Sequence, residues 1–144
     1  MSYSLFAYGT LMTEEVMSLV IGRTSTHSPA TLAGYRRGQL RGEVYPAIRP
    51  APEHRVGGVL YTDLSPADIR QLDLFEGEMY QRQAIPVELA DGRLASAETY
   101  VLRAEFYHQL TDNPWSLQEF MDQGRELFVA DYAGVGRLRN GRNP

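Results

Sequence analysis

With 144 residues, 43% of them hydrophobic and 22% charged, the chain has the make-up of one domain long enough to bury a core. A formal net charge of -4 without a basic block argues against nucleic-acid binding, and no apolar run approaches membrane-spanning length. Zero cysteines exclude disulfide and thiol chemistry, and every one of the 14 basic side chains is arginine, which excludes a Schiff-base lysine or a lysine base.

The first strand is expected over about Tyr3 to Tyr8, ending at Gly9. Thr13 then caps a helix whose first turn carries Glu14 and Glu15, favourable to the helix dipole. Val16, Met17, Leu19 and Val20 form its apolar face and Gly22 ends it. Residues 23 to 30, rich in Ser, Thr and Pro, read as a loop. Leu32 to Leu40 and Gly42 to Ile48 read as two strands turning at Arg41-Gly42, with Pro46 implying an edge or a bulge. Pro50 to His54 reads as an exposed turn. Val56 to Thr62 is a further strand whose Gly57-Gly58 pair suggests a bulge or a close backbone approach.

Ser65-Pro66 is a helix start with Ser as cap and Pro at the first helical position. Ile69, Leu72 and Phe75 give the buried stripe and Gly77 the stop. Tyr80 to Leu89 and Leu94 to Arg103 pair as a hairpin around Asp91-Gly92. Asn113-Pro114 opens a last helix through about Phe128, with Leu117, Phe120, Met121, Gly124, Leu127 and Phe128 at a 3.6-residue period and Ser116 with Glu119 as a capping box. Residues 137–144 lack an apolar pattern and are expected to fray. About six strands and three helices without βαβ alternation predict a single α+β domain over 1–144, with a small, mixed, barrel-like sheet.

Glu76 is the residue on which chemistry centres. It ends a short helix, near the negative end of the macrodipole, between Phe75 and Tyr80. Dipole and burial both disfavour its anion, which raises its pKa toward the range of a general base. The Tyr8-Gly9-Thr10-Leu11 junction leaves backbone N–H groups free to receive a carboxylate or an oxyanion. Together the two make a minimal acid/base site. Glu78 is the decoy, and Asp73 is expected to face solvent or cap locally. Arg82 is either a cation for a substrate carboxylate, a solvent-facing strand residue, or a partner of Glu78. Tyr35, Tyr45, Tyr61 and Tyr80 either line a pocket or pack the barrel with hydroxyls at its rim. His27, His54 and His108 show no metal-ligand spacing, so no metal is expected. Gly134-Val135-Gly136 is no phosphate loop.

The chain resembles the γ-glutamylcyclotransferase-like proteins, which include γ-glutamylamine cyclotransferases and the plant avirulence-induced relatives. The resemblance rests on an ordered set: Phe6-Ala7-Tyr8-Gly9-Thr10-Leu11, Leu32-Ala33-Gly34-Tyr35, Tyr45-Pro46-Ala47, Val56-Gly57-Gly58-Val59-Leu60-Tyr61, and Leu72-Asp73-Leu74-Phe75-Glu76-Gly77 with Tyr80 and Arg82. These span roughly residues 5 to 105. The helical extension, Trp115 to Tyr132 (about 114–132), is most like that of the plant-type relatives. The resemblance implies that the loop after the first strand and the end of the second helix face one pocket.

It further implies release of 5-oxoproline and a free amine from a γ-glutamyl compound by intramolecular attack, with Glu76 catalytic. Tyr8, Gly9, Thr10, Leu11, Met12, Thr13, Tyr80 and Arg82 would bind substrate, with no cofactor. The expected partner is a small γ-glutamyl molecule, and the protein is expected to be a cytoplasmic monomer or small homo-oligomer. The alternatives are a non-catalytic binding protein for a small acidic or γ-glutamyl metabolite, and an interaction protein using the Trp115–Phe128 helix.

Overall fold

Five strands close into a barrel in the computed structural model, which describes residues 2–124. They are β1 (Tyr3–Ala7), β2 (His27–Gln39), β3 (Pro46–Leu64), β4 (Tyr80–Leu89) and β5 (Leu94–Leu102), in the spatial order β1-β3-β2-β4-β5. Neighbours run antiparallel except at the closing seam, where β1 meets β5 in parallel with Leu5 opposite Glu98. The helices are α1 (Glu14–Ile21), α2 (Pro66–Glu76) and the single turn α3 (Leu117–Glu119). Short 3-10 turns span Thr10–Met12 and Ala104–Gln109, and a π turn spans Phe120–Gly124. Among the described residues no helix is long and apolar enough to cross a membrane.

The sheet has one strand fewer than expected. Gly42–Ile48 and Val56–Thr62 are not separate strands: the chain turns after Gln39, and β3 runs unbroken from Pro46 to Leu64. The region expected as a loop also shrinks, because Pro29 and Ala30 already pair with Val59 and Gly58. Pro50 to His54 is an excursion inside β3 instead of a turn. Ala33 faces Arg55 while Tyr35 faces Pro50, so residues 51–54 lie opposite Gly34 alone, whose φ of 87° accommodates the irregularity. Pro50 and Pro52 lack the N–H that a regular ladder needs, yet their fixed φ suits extended chain, so the strand bulges without reversing. The close approach expected at Gly57-Gly58 falls on Gly58: a Cβ there would lie 2.3 Å from the Ala7 carbonyl oxygen and 2.7 Å from the Phe6 ring.

Local signals set the helix boundaries. The Thr13 hydroxyl accepts the Val16 N–H at 3.2 Å, and Gly22, in the left-handed region, closes α1 onto the Ser18 carbonyl. At α2 the Ser65 hydroxyl accepts the Asp68 N–H while the Asp68 carboxylate accepts the Ser65 N–H, a capping box with Pro66 just inside. The last helix starts later than Asn113-Pro114. Ser116 caps it, accepting the Glu119 N–H at 3.0 Å, and the period then loosens into the π turn. The remainder of the expected extension, with Leu127 and Phe128, the Gly134-Val135-Gly136 stretch and the tail 137–144 lie outside the described residues.

Period-2 alternation sends the strands' side chains to two cores. Phe6, Tyr8, Leu32, Ile48, Val56, Leu60, Ile85, Val87, Ala97 and Val101 form a cluster to which, among the described residues, no helix contributes. The opposite faces, with Leu5, Ala7, Tyr61, Leu64, Tyr100 and Leu102, pack on Val16, Met17 and Val20 of α1 and Ile69, Leu72 and Phe75 of α2. Docking α2 there brings its C-terminal end beside the end of β1.

Candidate active site

A pocket opens where these two ends meet. Leu5 to Leu11 form one wall, Glu76 a second, and Tyr45, Pro46, Tyr80 and Tyr100 the remainder. The sequence has therefore brought two segments nearly seventy residues apart into one concave site, as the resemblance implied.

The first wall is shaped by the turn after β1. The Gly9 carbonyl accepts the Met12 N–H at 2.9 Å, and Thr10 accepts both the N–H and the hydroxyl of Thr13. Beneath the turn, the Tyr61 hydroxyl donates to the Leu11 carbonyl at 2.7 Å, and burial pushes that phenol up to about 12. Glycine is required at position 9 by crowding, since a Cβ would meet the Pro46 ring at 2.8 Å. The N–H groups of Gly9, Thr10 and Leu11 have no acceptor among the described residues.

Glu76 is the last residue of α2, followed at once by Gly77. It is half-buried, and no described residue donates a hydrogen bond to its carboxyl or pairs with it as a cation. Loss of water is the main reason its pKa rises from an ordinary 4.5 to about 8, and the Asp73 carboxylate on the preceding turn adds to the rise. Near pH 7 the side chain is therefore largely a neutral acid, able to give a proton and, once ionised, to take one back.

Three of the four tyrosines that share the pocket with it have hydroxyls whose bonds to the protein are evident. Tyr8 donates to the Tyr100 carbonyl at 2.5 Å, Tyr80 to the Pro46 carbonyl at 2.8 Å, and Tyr100 to Asp73 Oδ1 at 2.7 Å. Burial first, and then the nearby Glu76, raise the Tyr8 phenol, while burial dominates at Tyr80. All three stay neutral over any physiological pH. Arg37 reaches in from β2 and donates to the Tyr8 carbonyl at 2.8 Å, while its guanidinium lies over the Trp115 ring.

Of the expected substrate-binding residues, Tyr8, Gly9, Thr10, Leu11 and Tyr80 line the pocket with Glu76. Met12 and Thr13 complete the turn and cap α1, outside the lining. Arg82 does not line it either. Its guanidinium donates to both oxygens of Asp73, at 3.0 and 3.3 Å, and to Glu98 at 2.5 Å. Glu78 is exposed and is not the partner of Arg82. Asp73, expected to face solvent or cap locally, is instead the junction of this network. Among the tyrosines, Tyr45 and Tyr80 line the pocket, Tyr61 supports it from below and Tyr35 packs on the barrel cluster. Tyr100 was missed; the available signal was its place directly opposite Arg82 in the β4–β5 hairpin.

A family model described as gamma-glutamyl cyclotransferase, AIG2-like, matches residues 5–119. AIG2-like protein C of Arabidopsis thaliana is 33% identical over 129 residues, covering 89% of this chain and 74% of that protein. A solution structure of an Arabidopsis thaliana protein superposes with a TM-score of 0.69 at 28% identity, covering 92% of this chain and 81% of that one. A structure described as gamma-glutamyl cyclotransferase shares the fold, with a TM-score of 0.65 at 19% identity, covering 72% of this chain and 68% of that one. The chain belongs to the AIG2-like gamma-glutamyl cyclotransferase family.

Proposed function

We propose that the protein is a γ-glutamylcyclotransferase that releases 5-oxoproline and a free amine from a γ-glutamyl compound, with Glu76 as the general acid and base. The observation that carries this reading is a half-buried carboxyl of pKa about 8, without a donor among the described residues, facing unpaired backbone N–H groups across one pocket. A structural carboxylate would instead be paired, with a depressed pKa, as Asp68 is by its bonds to Ser65 and Arg23.

The reaction needs no enzyme nucleophile, which suits a chain without cysteine or lysine. The α-nitrogen of the glutamyl group attacks its own γ-carbonyl carbon and closes a five-membered ring. Holding that group folded supplies much of the rate through orientation. Glu76 takes a proton from the α-ammonium, freeing the attacking lone pair. The carbonyl electrons move onto oxygen, where the N–H groups of Gly9, Thr10 or Leu11 hold the developing charge or an adjacent carboxylate. As the tetrahedral intermediate collapses, the bond to the leaving nitrogen breaks while Glu76 returns its proton to that nitrogen, and the carboxylate so formed takes the second proton from the ring nitrogen and passes it to the released amine. A carboxyl raised from 4.5 to about 8 lies much closer to an ammonium than an ordinary glutamate does, which lowers the cost of moving a proton between them.

A 5-oxoproline release assay across γ-glutamyl amino acids, γ-glutamyl amines and glutathione tests the reading and identifies the leaving amine. Turnover of at least one class is expected. Binding of several compounds with no 5-oxoproline from any would replace this reading with that of a binding protein.

A further inference from the structure

Asp73 lies three residues before Glu76 on α2, so the two side chains are neighbours on one helix face, about 5–6 Å apart at Cβ. Its oxygens accept three bonds, two from Arg82 on β4 and one from the Tyr100 hydroxyl on β5, and Tyr100 is itself a wall of the pocket. Arg82 is shared: its other terminal nitrogen is bound to Glu98 on β5. One guanidinium divided between two carboxylates leaves a net negative charge in the cluster. That uncancelled charge sits one helical turn from a carboxyl that has no donor of its own among the described residues.

We propose that Asp73 is a positioning residue of the pocket, fixed by Arg82 and Tyr100 so that its charge governs when the neighbouring Glu76 holds its proton. The groups that bear on Glu76 from the surrounding elements support this assignment. Tyr8 after β1, Tyr45 before β3, Tyr80 on β4 and Tyr100 on β5 are phenols, and among the described residues no lining residue is a cation. Glu43, in the turn before Tyr45, bears on Tyr80, and Arg37 bears on Tyr8. Among the described residues, Asp73 is thus the charged group that acts on Glu76 beyond burial itself. In the empty pocket its charge favours the protonated form of Glu76. A substrate ammonium entering the pocket offsets that charge and eases ionisation of Glu76, so the base form would appear where there is a proton to take.

This rests on the cyclotransferase reading for its purpose but can be measured without turnover. The Glu76 carboxyl is followed by carbon-13 NMR of glutamate-labelled protein through a pH titration, its resonance assigned by loss in Glu76→Gln. Asp73→Asn keeps shape and an oxygen acceptor for Tyr100 but removes the charge, and should lower the Glu76 midpoint by roughly one pH unit. Arg82→Gln leaves both carboxylates uncompensated and should move the midpoint upward. A merely structural cluster would loosen in either variant and admit water, moving both midpoints down. That outcome, or an unmoved midpoint in Asp73→Asn, overturns the proposal; should Asp73→Asn not fold, the sign in Arg82→Gln decides. Where 5-oxoproline is released, the rising limb of kcat/KM against pH should follow the same directions. A protein that releases none would defeat the cyclotransferase reading while the titration still decides the role of Asp73.

Discussion

A carboxyl that has lost water without gaining a donor keeps its proton to high pH, and Glu76 is in that position. The consequence for activity is direct. Glu76→Gln should retain the fold and ligand binding while turnover falls on the order of a hundredfold or more, with Glu78→Gln, on an exposed turn, close to wild type. Steady-state kinetics of both variants checks this. The consequence for stability has a definite sign. Glu76 titrates near 4.5 when unfolded and near 8 when folded, so between those values the folded state binds more protons. Its contribution becomes steadily more unfavourable as pH rises through that window, then levels off above about 8. Glu76→Gln should therefore match or exceed the wild type in stability at neutral pH, with the difference shrinking in mild acid, as chemical denaturation at the two pH values would show. A mutant clearly less stable at neutral pH would make Glu76 a structural carboxylate.

At the level of elements, the turn after β1 depends on tight contact with the start of β3. Gly9→Ala would drive a methyl group into the Pro46 ring, 2.8 Å from where it would sit, and Pro46 also supplies the carbonyl that holds Tyr80. The expected result is a stability loss of about 1–3 kcal/mol with markedly weaker binding of 5-oxoproline, read by denaturation and titration calorimetry. This junction also shows what the sequence made legible. Thr13, Gly22, Ser65, Pro66 and Gly77 act through bonds a few residues long, so the ends of α1 and α2 could be read directly. The position of Glu76 at a helix end was local in the same sense. Pro50 to His54 reads as an exposed turn in the sequence, but whether the chain reverses there depends on β2 lying alongside. The Asp73–Arg82–Tyr100 cluster joins a helix to two strands, and no spacing within any one of them announces it. Arg82 carries the charge that a substrate carboxylate would need, but Asp73 and Glu98, on other elements, occupy that charge.

For the whole molecule, the seam between β1 and β5 is where the barrel closes, and it is short, with Leu5 paired to Glu98. A side chain reinforces it: the fully buried Thr99 hydroxyl donates to the Phe6 carbonyl at 2.8 Å. Thr99→Val keeps the shape but leaves that carbonyl without its donor, and should cost about 1–3 kcal/mol in denaturant unfolding. Hydrogen exchange should show the added opening concentrated at β1 and β5.

The same seam orders the assembly of the protein in time. The β2–β3 and β4–β5 ribbons join segments close in the chain, whereas β1 meets β5 only after more than ninety intervening residues have been gathered. Closing so long a loop carries a larger entropic cost than forming either hairpin, which favours the ribbons first and the seam late. Tyr8 and the turn at Gly9 follow one partner of that seam, and Tyr100 belongs to the other. The pocket consequently has no partial form. A chain with its hairpins made but its barrel open has nowhere to hold a ligand, so occupancy reports the completed fold, and a ligand that fills the site draws the folding equilibrium toward closure.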